Sequence, residues 1–227
     1  MKRQLILIQG ISTQVDYMTK ALKDSGFDTS EFDKIEVVRT EEFFIKHTPW
    51  YLKPFKLIPA ADSWANRLND VLVFMSQKNG RIGACRLARL AIRRAQYHGY
   101  EPTIVAHSLG TIILLCCGPN ELKQDKPYSE QLVRVPKVYL FNSPLGMVFP
   151  LGNKVLDFVR RYIQNFLTEE LVYVYGAKDM VSKNYQEDNH GQILNLATIN
   201  KKEIYKEESG HSLSETIRKW QEEIVVI

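Results

Sequence analysis

Short apolar, β-like runs alternate along this chain with longer amphipathic stretches. Such a chain buries its runs most readily as a mostly parallel sheet with helices on both faces. Residues 5–9 (L-I-L-I-Q), closed by Gly10, read as a central strand. A helix is predicted over 16–24, ended by Gly26, and a second strand over 35–39. Helices are predicted over 62–77 and 81–97, and a third strand over 103–106. Strands over 138–142 and 171–175 follow, with a last one near 193–197 ahead of a C-terminal helix. A chain of 227 residues supports one sizeable core and is short for two, so a single α/β domain over 1–227 is expected.

Composition narrows the function classes. Thirty basic against 26 acidic residues leave a net charge of +4, too small to argue for nucleic acid without clustering. Arg86, Arg89 and Arg93 form a stripe opposite Ala84, Ala88, Ala91 and Ala95 in one helix. Such a stripe reads as a solvated face, and the alanine side as a close-packing one. Cys85, Cys116 and Cys117 cannot all pair within the chain, and two adjoin in an apolar run. Buried thiols in a reducing, cytoplasmic setting are expected. The apolar stretch near the start is only residues 5–8, too short for a signal peptide, and no segment reaches about 20 apolar residues. A soluble protein is expected.

Residues 41–61 break the alternation with three prolines and five aromatics. Closely spaced prolines exclude a long helix or an interior strand. Long irregular loops are frequently functional, so the segment is a candidate lid or cap over an apolar site. Trp50 and Phe55 are its candidate substrate-binding residues. The alternative is a surface excursion that tucks its aromatics onto the core.

The most specific local pattern is T-I-V-A-H-S-L-G-T-I-I-L-L at 103–115, a β-branched run turning at Ser108 into an apolar helix. A serine hydroxyl is a weak nucleophile and must stand exposed within reach of a base. A sharp strand-to-helix turn presents it, and the crowding demands small residues two places to either side, here Ala106 and Gly110. The helix also aims its first amides at the place where negative charge develops, making the amide of Leu109 one candidate oxyanion donor. The amide of Ile11, in the loop after the first strand, is the other.

A Ser–acid–His relay on this architecture places the acid and then the histidine after the serine. Asp179 follows the 171–175 strand at the carboxyl end of the sheet, the edge where ligands bind. Asp157 and Asp188 rank below it, one in a predicted helix and one in a polar loop. Of the two later histidines, His190 shares that polar loop, whereas His211 follows a glycine turn and leads into the last helix. Ser108 as nucleophile, Asp179 as acid and His211 as base is therefore the expected set.

These segments resemble the α/β-hydrolase superfamily, specifically its lipase-like serine esterase branch. That branch often carries H-G-I-G-T-Q, G-H-S-L-G and S-P-L-G. Here they read Q-G-I-S-T-Q at 9–14, A-H-S-L-G at 106–110 and S-P-L-G at 143–146. D-V-L-V-F at 70–74 also resembles a helix that precedes the elbow. The resemblance implies the α/β-hydrolase fold, an acyl ester substrate of small-molecule or lipid type, and no metal or organic cofactor. Gln9 stands where the branch has histidine, which leaves the detail of the oxyanion loop open.

Rival enzymes lack their residues. The five histidines show no H-E-x-x-H pairing, and Gly10 stands alone where a dinucleotide fold needs G-x-G-x-x-G. Two other readings stay open: a silent hydrolase-fold binding protein, and an acyltransferase or thioesterase using the same three residues.

Overall fold

In the computed structural model the described residues are 1–10, 16–40, 74, 78–118, 133–146, 151–163 and 166–225. The strands are β1 (Lys2–Ile8), β2 (Lys34–Val38), β3 (Tyr100–His107), β4 (Val133–Phe141), β5 (Phe166–Gly176) and β6 (Thr198–Glu207). The helices, numbered in chain order, are α1 (Tyr17–Ser25), α2 (Lys78–Tyr97), α3 (Leu109–Leu115), α4 (Leu151–Tyr162), α5 (Gln192–Ala197) and α6 (Leu213–Val225). The six strands form one all-parallel sheet in the order β2-β1-β3-β4-β5-β6.

Side-chain alternation divides the core into two layers. Leu5 and Leu7 of β1, Val105 of β3, and Val172 and Val174 of β5 pack toward α1 and α6. Ile6 and Ile8, Ile104 and Ala106, and Leu171 and Tyr173 face α2, α3, α4 and α5. Both faces are covered, so β1 is a continuous apolar run instead of an alternating one. Each such aliphatic side chain taken from water contributes about 1.5–3 kcal/mol. Ala84, Ala88, Ala91 and Ala95 are buried and give α2 the close approach expected of that stripe. Gly26 ends α1 with φ 74°, a left-handed turn that costs glycine little.

Two expectations need correction. Residues 193–197 are helical (α5), and the last strand is the following Thr198–Glu207. The segment I-L-N-L-A, apolar at four of its five positions, buries Ile193, Leu194 and Ala197 at helical spacing, whereas β6 is a half-exposed edge carrying three lysines. The arginine stripe is not uniformly solvated: Arg86 is exposed, but Arg89 is buried and Arg93 half-buried. Cys85, Ala88 and Ile92, all buried, surround Arg89 on the helix, so the buried arc is wider than the alanines alone. The cysteines are buried thiols, and burial pushes the Cys117 thiol up to about 12. The predicted 62–77 helix and the 41–61 segment lie outside the described residues, save Phe74, which is helical and buried.

Candidate active site

The strand order reverses at β1, whose neighbours β2 and β3 are reached by crossovers on opposite faces. Such a switch point opens a crevice at the carboxyl ends of the strands. Ser108 stands there, between the last residue of β3 and the first of α3. Its backbone has φ 53° and ψ −129°, a conformation that side-chain-bearing residues rarely adopt. The turn is clamped on both sides. The Ser108 N–H donates to the Phe141 carbonyl at 3.0 Å, and the Ser108 carbonyl accepts the Thr111 N–H at 3.0 Å and its hydroxyl at 2.7 Å.

The turn is also crowded. A Cβ on Gly110 would stand 2.2 Å from the Ile8 carbonyl oxygen, so only glycine lets α3 pass the end of β1. A Cβ on Gly10 would lie 3.0 Å from Ser108 Cβ and 3.3 Å from the Leu109 nitrogen, which puts Gly10 directly against the elbow. Leu109 opens α3, so its N–H belongs to the first turn, where intrahelical acceptors are lacking. Ile11, Trp50 and Phe55 lie outside the described residues.

The three distant residues singled out in the sequence meet at this crevice. His211 Nε2 lies 2.9 Å from Ser108 Oγ, and His211 Nδ1 lies 2.8 Å from Asp179 Oδ2. A carboxylate only accepts, so Nδ1 carries the hydrogen and the Nε2 lone pair faces the serine hydroxyl. Asp179 is 2% exposed, and its other partners hold it in place. Oδ1 accepts the Val181 N–H at 2.9 Å, and Oδ2 also accepts the Ser182 hydroxyl at 2.6 Å. His211 is fixed from behind, because His107 Nε2 donates to its carbonyl at 3.1 Å with the rings 5.0 Å apart.

The rival candidates stand apart. Asp157 is exposed on α4 beside Arg160, and Asp188 is exposed in a π-helical turn, Glu187–Gly191. His190 is buried in that turn and accepts the Gln186 N–H at 2.6 Å on Nδ1. Burial holds its pKa below the usual histidine range. Among the described residues no cluster of metal-ligating side chains is present, and no helix is long and apolar enough to cross a membrane.

Several residues of this region escaped the sequence reading. Asn142, Ser182, His107 and Glu207 are all buried around the relay. The available signal was a polar residue set beside an apolar run, as in F-N-S-P and A-H-S-L. Glu207 ends β6 with its carboxylate bonded to the Ser209 hydroxyl, and burial pushes its pKa up to about 7. The protonated carboxyl thus contributes stability at low pH that is lost as pH rises from its ordinary 4.5 through about 7. Glu207→Gln is expected to raise the melting temperature by a few degrees at pH 8 and by less at pH 5. Equal shifts at both pH values in thermal unfolding would contradict this.

No family model matches the sequence, and no curated protein matches it. Solved structures do match the fold. TT1662 from Thermus thermophilus is 16% identical, with a TM-score of 0.54 over 99% of this chain and 88% of that one. A Xanthomonas campestris pv. campestris protein assigned to the alpha/beta hydrolase superfamily is 12% identical, with a TM-score of 0.51 over 100% of both chains. A variant of SOBER1 from Arabidopsis thaliana is 10% identical, with a TM-score of 0.51 over 100% and 98%. The chain has the α/β-hydrolase fold. Its six strands are all parallel, and the hydrogen-bonded series Ser108–His211–Asp179 lies at the carboxyl edge of the sheet.

Proposed function

We propose that this protein is a serine hydrolase that cleaves acyl esters through an acyl-enzyme on Ser108. The observation carrying this reading is the unbroken hydrogen-bonded series from Ser108 Oγ through His211 to the buried Asp179, mounted on a strained elbow. His211 Nε2 takes the hydroxyl proton as Oγ attacks the ester carbonyl carbon. The carbonyl π electrons move onto oxygen, beside the Leu109 amide, with Ile11 as the second proposed donor. Collapse re-forms the carbonyl and breaks the bond to the alcohol, which leaves with the proton from His211. Water then repeats the sequence: His211 removes its proton, the acid product forms, and Ser108 recovers its hydrogen. Asp179 keeps the proton on Nδ1 and stabilises the imidazolium formed in each half.

The aromatic 41–61 segment, with Trp50 and Phe55, supports an apolar acyl group as the substrate class. An acyltransferase or thioesterase would use the same acyl-enzyme with another acceptor or leaving group. Intact-mass analysis after a fluorophosphonate is expected to show one adduct, mapping to Ser108. Medium and long acyl p-nitrophenyl esters are expected to be cleaved faster than the acetate. Absence of the adduct on folded protein would overturn the catalytic reading and leave a binding role, and a flat or inverse chain-length profile would overturn the apolar acyl class.

A further inference from the structure

Asn142 follows β4 directly and is fully buried, with φ 49°. Asparagine is among the few residues that tolerate this region, but a buried carboxamide must still satisfy both of its ends. On the oxygen side, Oδ1 accepts the Gly176 N–H at 3.1 Å. On the nitrogen side, Nδ2 donates to Thr216 Oγ1 at 2.7 Å and to the Gly210 carbonyl at 3.3 Å. A peptide N–H can only donate and a carbonyl can only accept, so the carboxamide has one orientation here. Neither a carboxylate nor an apolar side chain of the same shape meets both demands.

The partners on its two sides belong to different pieces of the relay. Gly176 starts the acid turn, and its carbonyl accepts the Asp179 N–H at 3.1 Å. Ser182, whose hydroxyl bonds Asp179 Oδ2, has its oxygen 3.4 Å from Asn142 Oδ1. Its single hydrogen goes to the carboxylate at 2.6 Å, which leaves Gly176 as the firm link. Gly210 directly precedes His211, and Thr216 lies on α6, one turn beyond it. Asn142 reaches the serine side through its chain neighbour Phe141, whose carbonyl holds the Ser108 N–H, while its own N–H donates to the Val174 carbonyl of β5 at 2.9 Å.

We infer that Asn142 is a positioning residue, whose carboxamide fixes the acid turn and the base turn in register with the serine elbow. The inference rests on the triad reading above, but it concerns the geometry of the three residues and so has its own readout. Removing the carboxamide frees the Gly176 N–H and the Gly210 carbonyl, and misplacement of a catalytic group by about 1 Å costs on the order of a hundredfold in rate.

The experiment compares wild type with Asn142→Ala by the rate of fluorophosphonate labelling and by the downfield proton NMR signal of the His211 Nδ1–H. A folded Asn142→Ala is expected to label about a hundredfold more slowly, with that signal moved or lost through exchange. Wild-type labelling and an unmoved signal would overturn the inference. Should Asn142→Ala fail to fold, Thr216→Val removes one of the two Nδ2 acceptors, together with that hydroxyl's own bonds to the Ser212 carbonyl and Ser209 Oγ. It is expected to slow labelling several-fold with a smaller shift of the same proton, and no change in either would overturn the inference. If wild type takes no label, the hydrolase reading fails. The NMR comparison then still decides the role of Asn142, since a moved signal supports it and an unmoved one overturns it.

Discussion

Ser108→Ala and His211→Ala are each expected to lower acyl-ester turnover by on the order of ten-thousandfold or more, and the double variant by no more than either alone. Residues that act as one unit lose their whole advantage when the first is removed. The 2.9 Å contact between Nε2 and Oγ makes these two such a unit. Neither change should disturb folding. The alanine at 108 still occupies the same backbone turn, held by the Phe141 carbonyl and by Thr111, and His211 faces the crevice with 9% of its side chain exposed. Steady-state kinetics on a p-nitrophenyl ester, with melting temperatures alongside, measures both points. Multiplicative losses, or a turnover unchanged by Ser108→Ala, would mean that the two residues do not share one reaction.

Gly110→Ala is expected to have the largest effect on stability, about 3 kcal/mol or more, seen as a fall in melting temperature of roughly 10 °C. The added Cβ meets the Ile8 carbonyl oxygen at 2.2 Å and the Ile8 and Gln9 carbonyl carbons at 2.9 and 3.0 Å. These are backbone atoms of β1 and of the residue that follows it, so no side chain can rotate away. Either α3 lifts from β1, opening the layer where Ile112 and Ile113 are buried, or the elbow shifts and carries Ser108 with it. A contrasting change is Gly210→Ala, whose Cβ meets nothing within 4 Å. Its melting temperature is expected to stay within a degree or two of wild type, so comparable losses at both positions would refute the steric argument.

How far the sequence was legible follows from what each residue is buried against. β1, β3 and β5 were readable because both their faces are covered, which leaves runs such as L-I-L-I with no polar interruption. The meeting of Ser108, His211 and Asp179 was readable because their order along the chain follows from the fold, and because the elbow must be small at Gly110. β6 was not, since an edge strand written T-I-N-K-K-E-I-Y-K-E has little to bury, and the apolar run beside it belongs to a helix. Nor was the start of β4, where the strand runs on through Pro136, with Val135 and Lys137 pairing with β5 on either side of it. Asn142 was invisible for another reason. Its partners are two peptide groups and a hydroxyl, and a backbone atom has no signature in sequence.

The reach of the relay along the chain has a consequence for biosynthesis. Ser108 and His211 are separated by 103 positions, which a ribosome covers in about 5–20 s at roughly 5–20 residues per second. Through that interval the elbow's sequence has emerged without His211, its proposed base. The helix that follows His211 has its partner at the other end of the order of emergence, for the Leu213 N–H donates to the Tyr17 hydroxyl of α1 at 3.2 Å. The base therefore arrives together with the contact that seals the sheet's second face. On this reading a nascent chain is chemically inert until its fold closes.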